Sequence, residues 1–155
     1  MAKKKANPQA LTCFETAKSV DGKFSDAYLN IARFHINKSD WLTALRICEV
    51  GIDHHNHWEF YLMLGEIHEK RSKGKERSLA FNILDAGIQK FSHHGELDKY
   101  KGDLLVLSKQ KEEAALCYLS AAKKFREFNG NLQESDLCLK QATKLAPKND
   151  QIFVE

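Results

Sequence analysis

Ala44-Leu45-Arg46-Ile47-Cys48-Glu49-Val50-Gly51 places a small residue, a larger one four positions on, and a small one three beyond that. Residues three and four apart share one face of a helix, so this spacing makes a shallow stripe that a second helix can approach closely. The same pattern recurs as Ala10-x3-Phe14-x2-Ala17, Ala80-x3-Leu84-x2-Gly87 and Ala114-x3-Tyr118-x2-Ala121. The leading alanines lie 34, 36 and 34 residues apart. A near-constant period of this size is the signature of a repeat architecture, in which each unit buries its apolar face against its neighbours.

Partner helices fill the intervals. Asp26 to Asn37 carries Tyr28, Ile31, Ala32 and His35 on one stripe, and His57 to Lys70 carries Tyr61, Leu64, Gly65 and His68. Glu96 to Ser108 carries Leu97, Tyr100, Leu104 and Leu107, with Gly102 beside them. Each follows the helical period. The two prolines, Pro8 and Pro147, stand near the two ends and leave the interior free for helix. Asn7 before Pro8 reads as a helix start. Asp21-Gly22, Lys38-Ser39-Asp40, Ser72 to Lys75, Ser92 to Gly95 and Asn129-Gly130-Asn131 read as turns. Ser39 and Asp40 are placed to cap a helix opening near Trp41. The spacing predicts eight helices, over 8–20, 25–37, 40–53, 57–71, 76–91, 96–109, 111–128 and 131–146.

This pattern resembles the tetratricopeptide repeat, whose signature runs W-x2-L-G-x2-Y, then A-x3-F, then P. Tyr61-x2-Leu64-Gly65-x2-His68 is the nearest first half, and Tyr28-x2-Ile31-Ala32-x2-His35 a looser copy. Ala10-x3-Phe14-x2-Ala17 is the nearest second half, and Ala142 with Pro147 looks like a repeat ending. The resemblance covers 8–148 and implies an all-α, right-handed superhelix of antiparallel hairpins. Its parts are a basic, disordered tail over 1–7, a half-repeat over 8–22, units over 25–56, 57–94 and 95–128, a capping helix over 131–146 and a tail over 149–155. Two extra residues of the second unit fall in the Ser72–Lys75 turn. The third unit puts Asp98 and Lys101 where the signature is apolar, a departure that a one-residue shift of register would remove. The last helix is out of register with the period, as suits a cap that turns a polar face to water.

Function follows from what the chain has and lacks. The net charge of +3 is spread over alternating signs, and part of it belongs to Lys3-Lys4-Lys5, so nothing marks a nucleic-acid stripe. Cys13, Cys48, Cys117 and Cys138 have no CxxC spacing and read as buried, reduced thiols of a cytoplasmic protein. No apolar stretch is long enough for a membrane span, and the start lacks a secretory apolar region. His54, His55 and His57 end one helix, and His93 and His94 end its equivalent one unit later. Histidines suit helix C-termini, and without H-x3-H or CxxC no metal and no cofactor is expected. His55-Asn56-His57 joins two helices and is no nuclease centre. With no nucleophile–base pair, GxGxxG or P-loop, the chain is not expected to be an enzyme. Trp41 and Trp58 each open a helix, where they staple helix ends or stand as exposed anchors for a partner.

The resemblance implies that the first helix of each unit lines a concave groove. Opposite the packing stripes stand Asn30, Arg33 and Asn37, then Met63, Glu66 and Lys70, then Lys99 and Asp103. This mixed surface, rich in hydrogen-bonding groups, suits a peptide or helix of another protein, in an adaptor or a small chaperone. A second copy of the chain would also fit. One groove of the family captures the C-terminal carboxylate of chaperones with Lys-x3-Asn, Asn and Lys-x3-Arg. The matching slots here hold Leu29 and Arg33, Leu62 or Met63, then Lys99 and Asp103, so only Lys99 fits. The alternatives are an RNA-binding helical repeat, for which Asn30, Met63 and Tyr100 supply no shared code, and an accessory subunit of an enzyme complex.

Overall fold

The computed structural model describes residues 25–55 and 57–146. Among them are seven helices and no strand: α1 (Ser25–Asn37), α2 (Trp41–His54), α3 (Glu59–Ser72), α4 (Arg77–Lys90), α5 (Gly95–Leu107), α6 (Lys111–Glu127) and α7 (Leu132–Leu145). These are the second to eighth helices expected from the spacing, with ends displaced by at most two residues. The helix expected over 8–20, the half-repeat containing Ala10, Phe14, Ala17 and Cys13, and both tails lie outside the described residues. The chain divides between Glu76 and Arg77 into two compact units. That boundary closes the turn assigned the extra residues, inside the unit expected over 57–94.

In the first unit α1 packs on α2 and α2 on α3, with α1 also reaching α3. Ala44, Cys48 and Gly51 are all buried. Gly51 has a steric reason: a Cβ there would lie 2.3 Å from Phe60 Cε1, and Phe60 is wholly buried. The α3 stripe departs from expectation, because Phe60, Met63, Leu64, Gly65 and Ile67 are buried while Tyr61 and His68 are half-buried. The buried arc is rotated towards the α2 contact, where the ring of Phe60 is needed. Aromatic stacking continues inward: the His55 ring lies 4.7 Å from Tyr28 and 6.3 Å from Phe60.

In the second unit α4 packs on α5, α5 on α6 and α6 on α7. Ala80, Leu84 and Gly87 are buried, as are Ala114, Tyr118 and Ala121. Ala114, Tyr118, Phe125, Cys138 and Ala142 belong to one core cluster, with Leu139 and Leu145 against it. On α5 the expected stripe holds at Leu97 and Leu104, but Leu107 is 58% exposed and Leu105 is buried in its place. Gly102 sits under the Tyr118 ring, where a Cβ would meet Cε1 and Cζ at 3.1 Å. That contact fixes the register of the third repeat without a one-residue shift. Asp98 and Lys101 therefore do occupy the slots where the signature is apolar, and each is ion-paired there. Asp98, 5% exposed, accepts from Lys124 Nζ at 2.5 Å, and Lys101 Nζ lies 2.6 Å from Asp85. On α7 Gln133, Asp136, Lys140, Gln141 and Lys144 are exposed, and so are Leu132 and Leu137.

The chain reversals repeat as well. At the end of α1 the N–H groups of Ser39 and Asp40 donate to Ile36 and His35, and Ser39 has φ 60°. At the end of α3, Lys73 and Gly74 donate to Lys70 and Glu69, with Lys73 at φ 55°. At the end of α5, Lys109 and Gln110 donate to Val106 and Leu105, with Lys109 at φ 65°. All three are Schellman closures around a left-handed residue. Ser39, Lys73 and Lys109 are 34 and 36 residues apart, so this closure keeps the repeat period. The second helix α2 ends differently: His55 is extended (φ −135°), and its N–H returns to Gly51. The expected cap of α2 is not made. Asp40 gives no side-chain cap bond and turns its Oδ2 back to Nδ1 of buried His35, at 3.1 Å.

Candidate partner-binding faces

Spacing of three and seven residues puts Asn30, Arg33 and Asn37 on one face of α1. Asn30 and Asn37 are exposed, while the Arg33 side chain is 37% exposed. Nη1 of Arg33 donates to both carboxylate oxygens of Glu66, at 3.0 and 2.9 Å, across to α3. The Glu66 side chain is only 16% exposed and also takes Lys70 Nζ at 3.0 Å. Six of the eight anticipated contact residues thus lie on α1 and α3 of the first unit, and two of them, Arg33 and Lys70, share the carboxylate of a third, Glu66. Met63 is a correction. It is 2% exposed and belongs to the core, because the rotated α3 arc that buries Phe60 takes Met63 in with it.

In the second unit, Lys99 of α5 reaches Glu134 of α7 at 2.8 Å, and this hydrogen bond, more than any other influence, holds the Lys99 ammonium above its ordinary value. Asp103 is exposed and accepts from the hydroxyl of Tyr118. Burial, reinforced by that acceptor, pushes the Tyr118 hydroxyl upwards, so it stays a donor. The charged residues read as groove contacts are therefore also lateral ties between helices. Sequence spacing put them on the right faces but could not show that they hold one another. The buried Asp98–Lys124 pair was missed, although a charged residue in an apolar slot was its signal. Burial raises the Asp98 carboxyl, against the opposing influence of its bond to Lys124.

The other chemically suggestive groups have ordinary packing roles. His57 Nδ1 accepts from the Glu59 N–H at 3.2 Å, and its ring stacks on Trp58. His93 meets Phe128 edge-on at 4.1 Å, and its carbonyl accepts from Asn129. Burial raises the thiols: Cys48 to about 12, Cys117 and Cys138 to about 11, which keeps them protonated and unreactive. No described helix is long and apolar enough to cross a membrane.

Among solved structures, the fold is similar to the crystal structure of YrrB, described as a TPR protein with an unusual peptide-binding site. The likeness has a TM-score of 0.50 and covers 94% of this chain and 81% of that one, at 17% identity. The described residues of this chain take a TPR-like helical-repeat fold. No family model matches the sequence, and no curated protein matches it. At 17% identity the likeness speaks for the fold of the TPR-like repeat and for nothing finer.

Proposed function

We propose that the chain is a protein-interaction module whose first-helix faces receive an extended peptide or a helix of a partner protein, as an adaptor, a scaffold or a small chaperone does. The observation that carries this reading is the Arg33–Glu66 tie. It joins two successive first helices, so that Asn30 and Asn37 of α1 and Lys70 of α3 stand exposed beside a fixed ion pair. Amides donate and accept at once, which matches the alternating groups of a peptide backbone. The peptide-binding site described for YrrB gives a precedent on a similar fold. Lys99 and Asp103 form the corresponding face of the second unit. A cytoplasmic partner is in keeping with the unbridged thiols of Cys48, Cys117 and Cys138.

The decisive experiment is capture of partners from a native lysate, read by mass spectrometry, with the parent chain and with Asn30→Glu/Asn37→Glu. Both positions are exposed, so melting should be unchanged while a specific captured protein is lost. Equal capture by the double variant would remove the α1 face from the reading.

A further inference from the structure

The end of α3 and the turn after it carry four cations, Lys70, Arg71, Lys73 and Lys75, against two carboxylates, Glu69 and Glu76, and the repeat core uses none of the four. Two cations, Arg33 and Lys70, share the single carboxylate of Glu66. Arg33 commits only Nη1 to it, and its fork of donors extends beyond that nitrogen. The chain reverses twice between α1 and α3, so the two helices run the same way, and the same end of both continues the charge. Lys38 is exposed at the end of α1, with Nζ 5.3 Å from the Phe34 ring centre. Lys70, Arg71, Lys73 and Lys75 are exposed at the end of α3. A helix C-terminus favours cations, but its effect fades within a turn, and Lys73 and Lys75 lie in the turn that follows.

Resting on the protein-binding reading above, we propose that this edge, formed by Arg33, Lys38, Lys70, Arg71, Lys73 and Lys75, selects an acidic segment of the partner. Carboxylates spaced along a peptide would take the outer donors of Arg33 and the ammonium groups of the turn, while Asn30 and Asn37 bond its backbone. An acidic peptide fits better than a nucleic acid strand. Glu66, Glu69 and Glu76 interrupt the cations, and a strand with a phosphate at every nucleotide could not avoid them, whereas a peptide places acids only where cations stand.

Three fluorescent probes test it by anisotropy: a ten-residue peptide alternating Glu and Gly, its Gln–Gly counterpart and a ten-nucleotide oligouridylate. At low ionic strength the Glu peptide should bind at least about ten-fold tighter than the Gln peptide, and salt should erode the difference. Arg71→Gln/Lys75→Gln, two exposed positions, should cut that affinity by about five-fold with no change in melting, and Arg33→Gln should add to the loss. Equal binding of the two peptides, or a double variant that binds as the parent does, overturns the proposal. So does oligouridylate binding more tightly than the Glu peptide. If the Glu peptide fails while lysate capture still depends on Asn30 and Asn37, the acidic preference falls and the interaction reading stands.

Discussion

The two units solve one packing problem with the bulk on opposite helices. In the second unit the large member of the small–large–small stripe is Tyr118, and its own ring closes over Gly102 of α5. Phe125 of the same helix lies against Gly95 in the same way, with a Cβ there at 3.0 Å from its Cδ2 and 2.8 Å from the Ala121 carbonyl oxygen. In the first unit the large position holds Cys48, which brings no ring. The ring comes instead from the following helix, as Phe60 of α3 seats on Gly51 of α2. The stripe therefore encodes how closely two helices approach, and the volume left over decides which of them brings the aromatic. A core packed to crystal-like density must supply it from somewhere.

Removing the imported ring is the severest test of this contrast. Phe60→Ala should cost about 3–5 kcal/mol, as for other buried phenylalanines, read from the denaturant midpoint at unchanged slope. A cost below about 1 kcal/mol would mean that α2 and α3 approach closely without it. Next comes the buried Asp98–Lys124 pair of the second unit. Lys124→Met should cost about 3 kcal/mol at neutral pH, because Asp98 is left buried without its partner. The Asp98 carboxyl is already raised in the folded protein, and losing Lys124 raises it further. An acid with a higher folded than unfolded pKa binds more protons when folded, so the variant should recover stability as pH falls through the carboxylate range. Asp98→Asn on the Lys124→Met background should abolish that recovery, and a pH-independent deficit would show that the pair is hydrated.

Smaller effects separate the two glycines. Gly51→Ala should be destabilising by about 1–3 kcal/mol, since its Cβ would meet a fully buried ring at 2.3 Å. Gly102→Ala should be close to neutral: the Tyr118 ring must give only from 3.1 Å, and alanine gains about 1 kcal/mol of helix propensity. Equal costs at both positions would erase the contrast between imported and native rings. Least of all, Arg33→Gln should change stability by less than about 1 kcal/mol, because the Arg33 side chain is over a third exposed and Lys70 remains on Glu66.

The order and limits of the seven described helices were legible because the period of the buried stripe is a property of the backbone and survives degenerate residues. Ala44, Ala80 and Ala114 are all fully buried, as four-residue spacing requires. Side-chain fate was less legible. Met63 fits an outward slot by spacing, yet the need to bury Phe60 rotates the α3 face and takes Met63 inside. Asp98 looked like an error of register because a sequence shows a charge and not its partner, which stands 26 residues later. Arg33 and Lys99 were read as outward-facing, but their partners Glu66 and Glu134 belong to other helices and only the packed chain brings them together.

The left-handed residues at the ends of the first helices give an engineer three matched places to work. Ser39, Lys73 and Lys109 each hold a conformation that costs an ordinary side chain about 1 kcal/mol, held in place by the two backbone bonds that close the helix. Glycine at any of them removes that cost and gives back part of the gain through a looser unfolded chain. Because the same closure recurs at the repeat period, three modest substitutions would harden both units without altering a single contact in their cores.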